Sequence, residues 1–530
     1  MHAGIIHRYR DGTWQIGDMR LKKGDVLPRS LVMDKYLFYF TTSIRMEEWK
    51  EILGERDEFF GIEPGNVMGV RIFLPGTDKI KSGYMTFMNP KLWKISKVET
   101  GSVSALDSAL FRKYALFAYH GAPKIGSSLA GTAMSWYTKK YNNKTVDDIE
   151  YPPFIRLAPR WRSIAHSAFH GGPIACLRGG SKNAVEIDIS GAYLNALTKD
   201  IPIIDSTSQY LYFPDISWRA LREQFGFVEA TVTVPEKLKY GLPPLPISTP
   251  NGIKYPIGLF RGCWTIMQLR EAEEHYDVVV NYIHQHAVAP RKMPLFKALA
   301  VEWSRIPKAV SKPLYTRFWG KFGFKGGYVG RISDDPIEQG IPKDHYWWLD
   351  ERIDQLTEDV ELFYRPDISA MIASYNHIAV QRALRMLDPK SIIAVHVDAI
   401  WTDDIEGAKR VCEEIKPCPD TNTGNWKKKK EGKIRFWGCG VYDHDGKIGC
   451  SGYSIEARGA PTHEILNNWV KTNIYRAETE KNRIWVDDVS AAVSRDAFST
   501  SSRLKQNITY PTTDGLLIQS PRFTIKGWIR

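Results

Sequence analysis

Apolar positions along this chain recur at two periods, one belonging to strands and one to helices. Gly226–Val234 reads Gly-Phe-Val-Glu-Ala-Thr-Val-Thr-Val, an alternation that predicts a strand with one buried face. Shorter β-like runs lie at Leu31–Thr41, Val67–Leu74 and Val278–His284, and residues 185–197 hold an apolar strand that ends in a polar turn. Helical periodicity covers Ala105–His120, Ser127–Tyr141 and Trp264–His275. It continues over Pro294–Gly320, where prolines interrupt it, and over Asp367–Leu387, which reads as an amphipathic helix. Ile392–Ile400 is an apolar run bearing one acid, followed by the polar Thr402-Asp403-Asp404. Ile434–Tyr442 and Ile448–Ser454 flank Asp443-His444-Asp445-Gly446, whose Asp-Gly pair predicts a hairpin. Helices and antiparallel strands are segregated rather than repeated as βαβ units, so the expected class is mixed α/β.

Composition narrows this further. A chain of 530 residues, 43% hydrophobic and 12% aromatic, has room for two to four globular domains. No apolar run approaches the roughly 20 residues that cross a bilayer, and Met1–Arg8 has no signal-peptide core. The expected location is therefore the cytoplasm. A net charge of +12 points to a polyanionic partner. The cysteines at 176, 263, 412, 418, 439 and 450 include no CxxC, and the last four are spaced 6, 21 and 11 residues apart, which fits no common zinc pattern. They are expected as free thiols.

Two acids stand out. Asp188 ends Ala184-Val185-Glu186-Ile187 and precedes Ile189-Ser190-Gly191-Ala192-Tyr193; Asp398 lies within Ile393-Ala394-Val395-His396-Val397 and Ala399-Ile400-Trp401. Either alone is equally a strand-end acid capping a turn. An acid flanked by β-branched residues costs several kcal/mol to bury unpaired, so Asp398 needs a cation, a metal or a raised pKa.

Asp188-Ile-Ser-Gly-Ala-Tyr193 resembles motif A of the family B DNA polymerases, and His396-Val397-Asp398-Ala399-Ile400 resembles their motif C. Between them, Lys312-Pro-Leu-Tyr-Thr-Arg-Phe-Trp319-Gly320-Lys321-Phe322 resembles motif B of the protein-primed branch, and the order A, B, C is that of the family. Phe169-His170-Gly171-Gly172 is similar to the Gly-Gly linker that precedes motif A and contacts template. The resemblance covers roughly residues 165–470. It implies a right-hand polymerase with an antiparallel palm, fingers and thumb behind an amino-terminal α+β domain. The boundaries expected are 1–165 for that domain and 166–290 for the first palm part with an insertion. Fingers follow at 291–325, a second palm part at 326–410 with a protruding hairpin within Gly323–Val360, and the thumb and carboxyl-terminal region at 411–530.

What the resemblance implies for single residues is specific. Asp188 and Asp398 become ligands of two Mg²⁺ ions, with the Ile189 carbonyl as an additional one. Tyr193 packs under the incoming sugar and favours dNTPs, although a plain core tyrosine fits the sequence too. Lys312, with Lys308 on the same face and Arg305 nearby, clamps the triphosphate, the alternative being a solvated basic face. Trp319 packs on the nascent pair. Gly171, Gly172, Gly320 and Lys321 meet DNA, and Lys433, Arg435 and Phe436 stand where the family grips the primer terminus. The basic-aromatic stretch Trp426–Trp437 suits phosphate tracking, or is a charged loop. Primer–template DNA and dNTPs are the partners implied, with a terminal protein primer inferred from the branch alone.

The chain departs from the pattern in two places. The first motif C aspartate is His396, which predicts weakened Mg²⁺ binding and a preference for Mn²⁺. Residues 1–165 do not open on an Asp-x-Glu strand, their one match being Asp148-Ile149-Glu150 near the end, so the region is expected to be a degenerate exonuclease or an unrelated domain, and no proofreading is expected. Besides a DNA polymerase of a phage or mobile element, two readings stay open. One is a polymerase-like protein that binds DNA with weak or no synthesis. The other is a nucleotidyltransferase making RNA or untemplated product.

Overall fold

The computed structural model describes residues 3–9, 11–17, 19–25, 37–40, 57–61, 67–72, 85–88, 93, 95, 103–126, 128–204, 209–249, 252–323, 328–331, 363–438, 441–450, 509–511 and 517–519. The chain forms two compact units, Met1–Phe154 with Phe324–Tyr364, and Ile155–Gly323 with Arg365–Arg530. The first unit ends before residue 165 because the helix Pro159–Ser167 belongs to the second, where it packs on the helix Pro366–Leu384. Segment 324–364, expected with the palm, falls in the first unit, and its strand Tyr328–Arg331 pairs with Asp57–Gly61. The expected hairpin over Gly323–Val360 otherwise lies outside the described residues.

The first unit is built on an eight-stranded mixed sheet. Ala3–Arg8, Leu37–Phe40 and Met85–Met88 run parallel at its centre. The helices Val103–Tyr119 and Leu129–Lys140 belong to the same unit, the second capped by the Ser128 side chain on the Gly131 N–H.

A seven-stranded, wholly antiparallel sheet forms the heart of the second unit. Its strands are β1 (Ile174–Cys176), β2 (Gly180–Ile189), β3 (Ile392–His396), β4 (Ala399–Thr402), β5 (Trp426–Gly438), β6 (Val441–His444) and β7 (Lys447–Cys450), in the spatial order β1-β3-β4-β2-β5-β6-β7. The region after 411 therefore extends this sheet before any separate thumb begins. The Asp445-Gly446 turn joins β6 to β7, both residues with φ > 0, as the hairpin expectation requires. The run Ile392–Ile400 is not one strand but two, β3 and β4, with Val397 and Asp398 as the turn between them. Gly226–Val234 is the middle strand of a separate three-stranded antiparallel sheet, between Gly258–Thr265 and Val279–Val288.

One face of the central sheet (Val185, Ile187, Ile189, Val395, Ile400) is sealed by Val380, Ala383 and Leu384 of the helix Pro366–Leu384. That helix is buried nearly all round rather than amphipathic, because the helices Pro159–Ser167, Ala192–Ala196, Ile266–Tyr276 and Lys308–Phe322 also pack on it. Its amino terminus carries a buried ion pair. Arg365, 3% exposed, donates to the two carboxylate oxygens of Asp367, 0% exposed, at 2.9 and 2.8 Å, and the Tyr210 hydroxyl donates to Asp367 at 2.9 Å. The Arg365 N–H also bonds the Phe322 carbonyl at 2.9 Å, which fixes the end of the helix Lys308–Phe322.

Removing one member of such a pair strands the other. Asp367→Ala is expected to lower unfolding free energy by about 3–5 kcal/mol. Lys239→Ala at the exposed Lys239–Asp277 pair should change it by less than about 1 kcal/mol. Urea denaturation of both variants checks this.

Candidate active site

Strand pairing brings the two acids together. Asp188, at the end of β2, stands opposite Ala399 of β4, and the next N–H along, that of Ile189, donates to the Asp398 carbonyl at 2.9 Å. Ile187 and Ile400 point into the core, so Glu186 and Asp188 point from the opposite face of the sheet. Asp398 lies at the hairpin tip, where its N–H donates to the His396 carbonyl at 2.8 Å.

The electrostatics follow from this closeness. The Asp398 carboxyl is pushed up to about 6, first by burial and then by the charge of Asp188; Lys312 and Lys429 oppose the shift. Lys429 reaches Asp188 at 3.6 Å. Its placement comes from a bulge: Glu186 faces Lys430 and Ile187 faces Lys428, so Lys429 is the extra residue, turned out of the ladder toward the acid.

Motif B is one helix, Lys308–Phe322, with Pro313 inside it. Its positions 308, 312, 315 and 319 share a face at helical spacing. Lys312 is exposed yet close enough to lower the Asp398 pKa, and Lys308 stands one turn earlier. Arg305 is placed differently, as the cap residue of the preceding helix Lys297–Ser304, on the far side of Pro307. The Thr316 hydroxyl turns back onto the Lys312 carbonyl at 2.7 Å. Gly320 is exposed, with nothing within 4 Å of where a Cβ would sit, and Lys321 follows it, half-buried.

Tyr193 stacks on Trp319, ring centroids 4.6 Å apart and planes 19° from parallel. Such a pair adds about 0.5–1.5 kcal/mol to the burial of the two rings. The Tyr193 hydroxyl is pushed up to about 12 by burial and by Asp398, against a hydrogen bond to Asn376. Ser369 anchors the Trp319 carbonyl at 2.7 Å, and Phe169 meets the indole edge-on at 5.8 Å. A wall of two flat rings thus stands beside the acids.

Gly171 and Gly172 lead into β1. His377 Nε2–H donates to the Gly171 carbonyl at 2.6 Å and takes the Gln268 amide at 3.3 Å on Nδ1. His170 donates to the Cys263 carbonyl at 2.9 Å and accepts from Ser248 at 3.1 Å. Burial holds both imidazoles down to about 4, so they are neutral fixtures of the linker.

Sequence matching finds no family profile and no curated protein. Structure matching does. Phi29 DNA polymerase complexed with primer-template DNA superposes with a TM-score of 0.55 at 12% identity, over 83% of this chain and 87% of that one. The ternary complex of phi29 DNA polymerase with primer-template DNA and incoming nucleotide gives 0.53 at 10% identity, over 88% and 95%. The chain has the fold of phi29 DNA polymerase. At this identity the likeness concerns architecture, and the expected right-hand polymerase fold is the one found.

Within the phi29-like fold not every expected residue converges on the acids. Lys433 is exposed and Arg435 pairs with Gly180, at the end of β5 remote from Asp188. The eight steps from Lys427, opposite Asp188, to Arg435 span about 25 Å of extended strand. Phe436 is 4% exposed and lies in an aromatic cluster with Trp401 and Tyr442, which removes it from any DNA contact. Lys429, not singled out from sequence, is the lysine of β5 that stands beside Asp188. Tyr315, not singled out from sequence, is buried near both acids, its hydroxyl pushed up to about 12 by burial and then by Asp398 and Asp188. Its helical spacing from Lys312 and Trp319 was the available signal.

The raised Asp398 pKa has a thermodynamic sign. With a folded value near 6 and an unfolded value near 3.8, ionising Asp398 costs stability as pH rises through that interval. A divalent cation held between the acids offsets this cost. Mg²⁺ or Mn²⁺ is therefore expected to raise Tm at pH 7.5 and much less at pH 5. Asp398→Asn should abolish the difference in scanning fluorimetry.

Proposed function

We propose that this chain is a template-directed DNA polymerase that adds dNTPs to a 3′ hydroxyl by two-metal nucleotidyl transfer. The observation that carries this is the Ile189–Asp398 hydrogen bond, which sets two carboxylates side by side at the ends of adjacent strands, facing the motif B helix. Among the described residues no group of three or more His, Cys, Asp or Glu forms a metal cluster, and the reading rests on the pair Asp188 and Asp398. Two like charges in a half-buried setting are hard oxygen donors that gain from a cation between them, and they suit Mg²⁺ or Mn²⁺. Asp188, Asp398 and the Ile189 carbonyl are the groups that would hold the ions. Metal held there would supply the Lewis acidity that activates a 3′ oxygen and offsets the charge of a departing pyrophosphate.

The chain's own residues supply the rest. Lys312, with Lys308 behind it, draws the triphosphate toward the acids. The Tyr193–Trp319 wall would receive sugar and base, the Tyr193 ring being the group that would disfavour a 2′ hydroxyl. Gly320 lets a base pair approach the helix backbone, with Lys321 next to it. Exposed Lys433 and half-buried Arg435 would track the duplex farther along β5. His396 adds no negative charge, so Mn²⁺ is expected to serve better than Mg²⁺. The one Asp-x-Glu of residues 1–165, Asp148-Ile149-Glu150, begins in the turn of a short hairpin rather than on a strand that opens the region, which supports synthesis without 3′–5′ proofreading. Replication of a phage or linear mobile element, in the host cytoplasm and with a terminal protein as primer, is the setting that fits a phi29-like architecture.

Labelled primer–template extension tests the reading. Wild type should extend with dNTPs, faster in Mn²⁺ than in Mg²⁺, while Asp188→Ala and Asp398→Ala lose extension and keep DNA affinity within about threefold. Tight DNA binding with no extension in either metal would replace the proposal with a DNA-binding relative that does not synthesise.

His396→Asp restores an acid and is expected to raise the Mg²⁺-supported rate about tenfold. Steady-state kinetics at matched metal concentrations measure it. No gain would give the histidine a role of its own.

A further inference from the structure

We infer that Gly172 and Val397 form a clamp that aims Asp398, the glycine serving the catalytic turn rather than the template. The inference rests on the polymerase reading for its consequence in catalysis, but the clamp itself is visible in the backbone.

Val397 has φ +62°, a left-handed conformation that a β-branched residue almost never adopts. The hydrogen bond across it, from the Asp398 N–H to the His396 carbonyl at 2.8 Å, is that of a γ-turn of positive φ, the rare and strained form. A glycine would take this conformation freely; valine gives up about 1–3 kcal/mol. Such strain persists only where neighbours over-determine it, and here they do so on both flanks. On one side the Val397 N–H donates to the Pro173 carbonyl at 2.6 Å. On the other the Asp398 carbonyl accepts from Ile189 at 2.9 Å.

Gly172 completes the grip. A Cβ on residue 172 would meet Val397 Cγ1 at 2.6 Å, its Cα at 3.0 Å and its Cβ at 3.1 Å. The valine side chain therefore occupies the space that the missing side chain of residue 172 leaves. Neither glycine can shift to make room, since buried His377 bonds the Gly171 carbonyl and buried His170 is fixed by Cys263 and Ser248. A line of contacts runs from the central helix through His377, Gly171, Gly172 and Val397 to Asp398. Val397 and Gly172 are positioning residues: they act through Asp398, by fixing where its carboxylate points relative to Asp188.

The test uses the full chain with Gly172→Ala, Val397→Gly and the double variant. Three readouts are taken: amide hydrogen exchange at Ile189 and Val397, Mn²⁺ binding by electron paramagnetic resonance, and kcat and KM for dNTP addition. Gly172→Ala is expected to speed exchange at both amides and to cost about tenfold in Mn²⁺ affinity and in kcat, because displaced supports of metal ligands carry penalties of that size. KM for dNTP and primer–template affinity should stay within about twofold. Val397→Gly is expected to keep or raise Tm by releasing the strain, yet to weaken Mn²⁺ binding and kcat. In the double variant a methyl enters the space that the isopropyl vacated, so its penalties should match those of Val397→Gly alone.

Unchanged exchange and Mn²⁺ affinity in Gly172→Ala, or penalties that multiply in the double variant, would overturn the clamp. Wild type that never extends a primer overturns the polymerase reading only, because exchange at Ile189 and Val397 still decides whether the clamp exists.

Discussion

Two carboxylates that repel one another are held side by side by backbone hydrogen bonding, and the surrounding structure answers to that constraint. The Ile189–Asp398 bond fixes the register of β2 against β4, and the register fixes the acids. Side chains alone would splay apart. The sheet cannot follow them, since its other face is sealed by a helix buried on almost every side. The Arg365–Asp367–Tyr210 cluster anchors that helix, at a desolvation cost that only a rigid function makes worth retaining.

The charge is balanced from two directions by different devices. Lys312 approaches from a helix and Lys429 from a bulged strand. Neither neutralises Asp398 fully, which leaves it titrating near 6. A pair of hard oxygen donors that its own chain compensates only in part is the arrangement on which the proposed metal chemistry rests.

Much of this was legible in the sequence, in a graded way. The alternation in Gly226–Val234 and the Asp-Gly turn of Asp445-Gly446 survive unchanged, because strand period and turn chemistry are local properties. The acids and the Lys312 face were legible through their motif spacing. Ile392–Ile400 was legible in part: Asp398 reads as a strand-end acid, but a hairpin whose turn is Val397-Asp398 carries none of the glycine or asparagine that marks such turns, so the run does not show where it reverses. Lys429 was hidden because a bulge changes which residue faces which, and no period predicts it. Phe436 shows the converse, an aromatic in a basic stretch that packing takes into the core. The burial of Pro366–Leu384 on its polar side, through Asn376, His377 and Gln381, depends on neighbours distant in the chain.

The chain leaves the second unit after Gly323 and returns at Arg365, and the residues bordering this excursion, Phe322 and Arg365, are hydrogen-bonded to each other. Exit and return therefore share one doorway. What lies between supplies Tyr328–Arg331 to the sheet of the first unit, while for the second unit its length enters only as the entropy of closing a loop, which grows slowly with length. The second unit thus tolerates a change in the size of that excursion so long as the strand keeps its pairing.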